Sequence, residues 1–129
     1  MTIYTLTIPV IDPHALLNAN HRMHWRRKAE RTRFWRELAM YTTRAALQAG
    51  TVVPMERARI VAQFRFPTGH RRDVGNLAPT VKAIMDGLVD AGLLPDDDDK
   101  HLTGPDLRRV PEKGPTEIRL EIEELEAQR

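Results

Sequence analysis

Residues 71–101, RRDVGNLAPTVKAIMDGLVDAGLLPDDDDKH, place seven aspartates directly behind two arginines. Those residue types serve one chemistry together. A hard divalent cation such as Mg2+ is bound by a few carboxylate oxygens, completed by water and substrate phosphate. Such an ion can activate water and stabilise the leaving oxygen of a phosphodiester, while guanidinium forks grip neighbouring phosphate oxygens. Asp73 follows a strand pattern and precedes a helix pattern, Asp86 lies on that helix, and Asp96 to Asp99 follow its end. A strand–helix–loop excursion can return the chain to its starting neighbourhood and let Asp73 meet one of the later aspartates. The competing reading is a solvated acidic turn, with Asp86 pairing Lys82 across one turn of an exposed helix face.

A second stretch, NANHRMHWRRKAERTRFWRELAMYTTR at residues 18–44, gathers Arg22, Arg26, Arg27, Lys28, Arg31, Arg33 and Arg36, with Trp25, Phe34 and Trp35 interleaved. Cationic side chains match phosphates, and aromatic rings stack or wedge against bases. The pattern also fits an ordinary basic helix face over a core that takes the aromatics. Trp35 reads as core. His21 and His24 have metal-ligand chemistry but no third partner in view, and read better as polar groups near phosphate. Charge follows the same division. Residues 1–72 hold 13 Lys and Arg against 4 Asp and Glu, whereas residues 73–129 hold 7 against 14. A basic half suggests a polyanionic partner and clustered carboxylates a bound cation; mutual neutralisation of the halves is the alternative.

The elements that must position these residues follow from periodicity. Tyr4, Leu6 and Ile8 alternate with threonines and predict a strand ended by Pro9. Residues 11–24 read as an irregular entry to a helix over Trp25–Ala49, stopped by Gly50, with Ala29, Trp35, Leu38, Ala39, Ala45 and Ala46 as buried candidates. Arg59 to Phe66 predicts a second strand, closed by Pro67 and Gly69. A second helix has Pro79 in its first turn, Gly92 just past its end and Pro95 beyond. Its apolar stripe is Val81, Ile84, Met85, Leu88 and Val89, while Lys82, Asp86 and Asp90 recur on another face. Ile118, Leu120 and Ile122 predict a strand with one wet face. Residues 100–110 fit either a short strand or a loop. The expected fold is α+β (mixed α/β): a small mixed sheet with two main helices over one face, in a single domain spanning 1–129.

Composition bounds the function. At 129 residues, 41% hydrophobic and 29% charged, the chain suits one soluble globular domain with a modest core. No apolar run approaches the roughly 20 residues of a membrane span, and MTIYTLTIPV lacks the basic start of a signal peptide. No cysteine is present, which excludes disulfides, thiolate zinc sites and a cysteine nucleophile, and suits a cytoplasmic protein.

Residues 65–110 resemble the RusA family of Holliday junction resolvases. That family's pattern runs Arg-Arg-Asp-x-Asp-Asn, then Lys, then Asp-Ala-Leu, Ala-Gly and a terminal Asp-Asp. Here it reads RRDVGN, then Lys82, then DGLVDAGLLPDD. A looser likeness covers the Asn- and Arg-rich loop and helix before it. Two departures stand out. Gly75 occupies the place of the pattern's second aspartate, and three extra residues separate Asn76 from Lys82.

The resemblance implies a Mg2+-dependent endodeoxyribonuclease that resolves four-way junctions and other branched DNA as a homodimer, without a membrane. By position, Asp73 matches the first metal-binding aspartate, Asp97 the aspartate that completes the metal site, and Lys82 the catalytic lysine. Asp86, or Asp98 in the loop, is the candidate to replace the carboxylate missing at Gly75. Asn20, Arg22, His24, Arg26, Arg27, Lys28, Arg71, Arg72 and Asn76 are the expected DNA contacts. The alternative is a module that binds junctions without cutting them.

Overall fold

The structure, a computed structural model, describes residues 2–127. Its elements in chain order are β1 (Ile3–Pro9), α1 (Trp25–Ala49), β2 (Arg57–Phe66), α2 (Ala78–Asp90), β3 (Leu102–Lys113) and β4 (Glu117–Leu125), with short 3-10 turns at Pro13–Ala15 and Val74–Leu77. The strands form one mixed sheet in the order β1-β4-β2-β3. β4 runs antiparallel to both β1 and β2, while β2 and β3 are parallel. The three strands that share a direction are therefore linked by the two helices, as crossover connections require.

Strict alternation makes the sheet one-sided. Leu6 and Ile8 of β1, Ala58, Ile60, Ala62 and Phe64 of β2, and Ile118, Leu120 and Ile122 of β4 are all buried. The register sets these side chains opposite one another, with Ile8 beside Ile118, Leu6 beside Leu120 and Ile60 beside Ile122. The other face is a lattice of charge: Arg59 lies 3.8 Å from Glu123 and Arg65 3.5 Å from Glu117, while Gln63 Nε2 donates to Glu121 Oε2 at 3.1 Å. This is the α+β arrangement that the periodicity predicts, with one apolar and one wet sheet face.

The helices cover the apolar face and pack on each other. Both end as expected, with Gly50 (φ 76°) and Gly92 (φ 88°) in the left-handed conformation that side chains disfavour. Their closest approach is at Gly87, where a Cβ would stand 2.3 Å from the Arg36 carbonyl oxygen and 2.7 Å from Ala39 Cβ. The buried stripe of α1 is narrow: Trp35, Ala39 and Thr43, one turn apart. Ala29 and Ala45 are exposed rather than buried, because both stand off that stripe. Val81, Ile84, Met85 and Leu88 of α2 are buried as predicted, and Val89 is half-buried.

Of residues 100–110, Leu102 onward form strand, which extends to Lys113. β3 is an edge strand that tolerates Pro105 and Pro111 because only one side pairs. Its register against β2 shifts twice, between Arg59 and Val61 and between Phe64 and Phe66. No helix among the described residues is long and apolar enough to cross a membrane.

Candidate functional site

Two clefts flank the start of α2, and the adjacent residues Leu77 and Ala78 each line one of them. The first is assembled from segments far apart in sequence. Thr80, fully buried, accepts a hydrogen bond from the Leu17 N–H (2.8 Å) and donates one to the Leu17 carbonyl (2.9 Å). Ala19 N–H donates to the Asn76 carbonyl at 2.8 Å, and the buried Trp35 indole donates to the Ala15 carbonyl at 2.9 Å. These bonds fasten the irregular residues 11–24 onto α1 and the start of α2. The resulting cleft, about 310 Å³, is lined by His14, Asn18, His21, Phe66, Arg72, Asp73 and Asn76 among others.

Within it Asp73 caps the Val74–Leu77 turn, its Oδ1 accepting the Gly75 N–H at 2.9 Å. A Cβ at position 75 would stand 3.1 Å from that oxygen, so the glycine leaves room for the capping carboxylate. Arg72 lies over the Phe66 ring, 4.4 Å from its centre. Amides, imidazoles, one guanidinium and one carboxylate share the cleft with Pro13, Leu16, Phe66 and Leu77, and the guanidinium and amides are groups that can bind phosphate.

The second cleft, about 370 Å³, has walls that include Val81, Met85, Leu102, Pro105 and Leu107, together with Lys82 and Asp97. Lys82 Nζ donates to Asp86 Oδ1 at 2.9 Å and, more closely, to Asp97 Oδ2. The helix spacing of four brings Lys82 to Asp86, and the loop after α2 returns Asp97 to the same ammonium. Asp97 is steadied by its own N–H, which donates to Asp96 Oδ1 at 2.7 Å. The hydrogen bonds that Lys82 donates to Asp97 and then Asp86 raise its pKa above the ordinary value. The Lys82 hydrogen bond in turn holds the Asp97 carboxyl below the usual range. Two carboxylates thus converge on one positive charge. A divalent cation would find the same two anionic oxygens there, so the donor chemistry fits Mg2+, with Lys82 as the cation that it would displace.

The expected residues therefore separate into two groups. Lys82, Asp86 and Asp97 meet, whereas Asp73, Arg72 and Asn76 line the other cleft. Among the described residues no three His, Asp or Glu side chains gather into a metal-holding group. Asp98 turns away: its Oδ1 accepts the Lys100 N–H at 3.2 Å and lies 3.8 Å from His101.

The basic surface also divides. Arg36 forms a two-pronged bond to Asp90 at 2.6 and 2.9 Å, and Arg59 and Arg65 pair with β4 glutamates. Those cations answer the acidic half of the chain. Arg22, Arg26, Arg27, Lys28, Arg71 and Arg72 are exposed, and among the described residues none of them has a carboxylate partner. Asn20 and His24 share that exposure. His24 caps α1, its Nδ1 accepting the Arg26 N–H at 3.2 Å, and its ring stacks on Trp25, which is 67% exposed. The Arg26 guanidinium lies 5.1 Å from the Trp25 ring centre. An exposed aromatic flanked by cations is a platform for an unstacked base.

The sequence reasoning missed His14, Asn18 and Phe66 as cleft residues, Thr80 as their anchor, and Arg109, described below. Thr80 alone carried a signal, as a hydroxyl beside the apolar stripe of α2. No protein-family model matches the chain, and no curated protein matches it.

Proposed function

We propose that this protein is a Mg2+-dependent, structure-selective endodeoxyribonuclease that resolves four-way junctions and other branched DNA, as a homodimer in the cytoplasm. The observation that carries the reading is the convergence of Asp86 and Asp97 on one cationic point, in a chain whose exposed Arg22, Arg26, Arg27, Lys28, Arg71 and Arg72 have no carboxylate partner among the described residues. The motif resemblance to the RusA family supports the same reading. Asp86 and Asp97 would hold the ion, whose contribution is charge stabilisation for phosphodiester hydrolysis. Lys82, released from those carboxylates, offsets negative charge developing on the scissile phosphate. Asp73 stays anchored to the Gly75 N–H in the neighbouring cleft, where Arg72 and Asn76, with Arg71 next to them in the chain, take the adjoining phosphates. Asn20, Arg22, His24, Arg26, Arg27 and Lys28 seat the backbone farther along the duplex. A twofold assembly matches the two symmetry-related strands of a junction.

A second reading, a junction-binding module that does not cut, is favoured by the placement of Asp73 and Asp97 in separate clefts. Incubation with a synthetic four-way junction, with and without Mg2+, separates the two. Cleavage that requires Mg2+ supports the nuclease. Salt-sensitive binding with no cleavage in Mg2+ selects the module, and absence of salt-sensitive binding removes both.

A further inference from the structure

Arg109 stands on the edge strand β3, beside Phe64 of β2 in the register. Its guanidinium lies 5.2 Å from the centre of the Phe66 ring, the ring that Arg72 also covers. Arg109 donates to the His70 carbonyl at 2.6 Å and to the Thr68 carbonyl at 2.8 Å. Arg72 reaches the same two carbonyls only at 3.5 and 3.3 Å, and the Thr68 hydroxyl at 3.3 Å. The two guanidiniums thus share their acceptors unequally. Arg109 is half-buried and makes the short bonds; Arg72 is exposed and makes the long ones. Among the described residues, neither has a carboxylate partner within salt-bridge distance. Their mutual repulsion is offset by backbone oxygens and the negative face of one aromatic ring.

The segment that Arg109 holds is the one that leads into Arg71, Arg72 and Asp73. We infer that Arg109 is a positioning residue: it fixes the Thr68–His70 backbone and so presents Arg72 to substrate phosphate, without touching DNA itself. Its functional consequence rests on the DNA reading above, whereas its structural part rests on the bonds alone. The planar fork is essential to the role. One guanidinium spans two carbonyls while standing over a ring, 5.2 Å from its centre, and a lysine ammonium cannot do both.

Full-length Arg109→Lys and Arg109→Leu test this by three measurements: backbone amide NMR order parameters over residues 68–73, junction affinity across a salt series, and single-turnover cleavage. In both variants the order parameters of that segment are expected to fall to about 0.6 or below, from about 0.85 when it is held. Both should cut about 10- to 100-fold more slowly, with the salt slope of binding unchanged. Rescue of cleavage by Lys would overturn the inference. So would a slope flattened by about 0.9 in the Leu variant with order parameters unchanged, which is the mark of a lost phosphate contact. If the wild-type protein neither binds nor cuts junctions, the DNA reading fails, and the order parameters still decide the positioning claim. Unchanged order parameters in both variants refute it. Should Arg109→Leu fail to fold, Arg109→Lys keeps the charge and most of the stem, and carries the test alone.

Discussion

Replacing Thr80 with valine keeps the shape of a fully buried side chain and removes the hydroxyl that both accepts from the Leu17 N–H and donates to its carbonyl. Leu17 is itself buried, so water cannot readily replace either bond. Leaving a buried polar group unpaired costs about 1–3 kcal/mol. Two such groups, with partial relaxation, put the loss at about 3 kcal/mol. For a chain of this length unfolding entropy converts that into a fall in Tm of about 11 °C. Thr80→Ser keeps both bonds, loses one methyl group, and should cost about 1 kcal/mol. Thermal unfolding followed by circular dichroism measures both. The loop that Thr80 anchors carries His14, Asn18 and His21 into the first cleft, so junction affinity should fall in the valine variant and survive in the serine variant. A Thr80→Val protein within about 4 °C of wild type, or a serine variant equally damaged, would refute the reasoning.

Gly87→Ala drives a methyl group into the Arg36 carbonyl and the Ala39 side chain, and should destabilise by about 1–3 kcal/mol in denaturant titration. Gly75→Asp sets a Cβ 3.1 Å from Asp73 Oδ1 and a second negative charge beside it. It should leave junction cleavage no faster, and a large gain in rate would show that the carboxylate missing at Gly75 is not replaced by Asp86. The Arg36 hydrogen bond holds the Asp90 carboxyl below its ordinary value of 3.8. On acidification the unfolded chain binds that proton first, so Asp90 contributes stability above pH 3.8 that is lost as the pH falls through its lower folded value. Asp90→Asn should flatten the acid limb of a stability–pH curve and leave its shape above neutrality unchanged; an unaltered acid limb counts against the pairing.

Local signals carried the helices. Gly50 and Gly92 mark both C-terminal ends, and Pro79 sits in the first turn of α2, because caps and proline act within a few residues. Lys82 and Asp86 were legible as a pair for the same reason. The arrival of Asp97 at that pair was not, since a loop's return path depends on tertiary packing. β3 escaped a clear assignment because Gly104, Pro105 and Pro111 interrupt its alternation, and only its edge position makes them tolerable. Ala29 and Ala45 were misjudged because alanine sits equally well inside or outside, so it says little about which helix face is buried. The first cleft was hidden most completely. It depends on a hydroxyl bonded to a backbone 63 residues away, and Arg109 holds its loop from a strand outside any motif. The basic half looks uniform in the sequence, yet Arg36, Arg59 and Arg65 form ion pairs within the chain, whereas among the described residues Arg22, Arg26, Arg27, Lys28, Arg71 and Arg72 form none.

The most direct test of the nuclease reading compares Mg2+-dependent cleavage of a synthetic four-way junction by wild-type protein, Asp97→Asn, Asp86→Asn and Asp99→Asn. Asparagine preserves size and keeps an oxygen that can accept from Lys82, so the fold should survive. It removes the anionic oxygen that a hard cation needs. Asp99 is exposed and lines neither of the two clefts, which makes it the control. The account predicts that Asp97→Asn and Asp86→Asn bind the junction at least as tightly as wild type but cut it at least about 100-fold more slowly, while Asp99→Asn cuts normally. Normal cleavage by Asp97→Asn, or equal damage from Asp99→Asn, would contradict it.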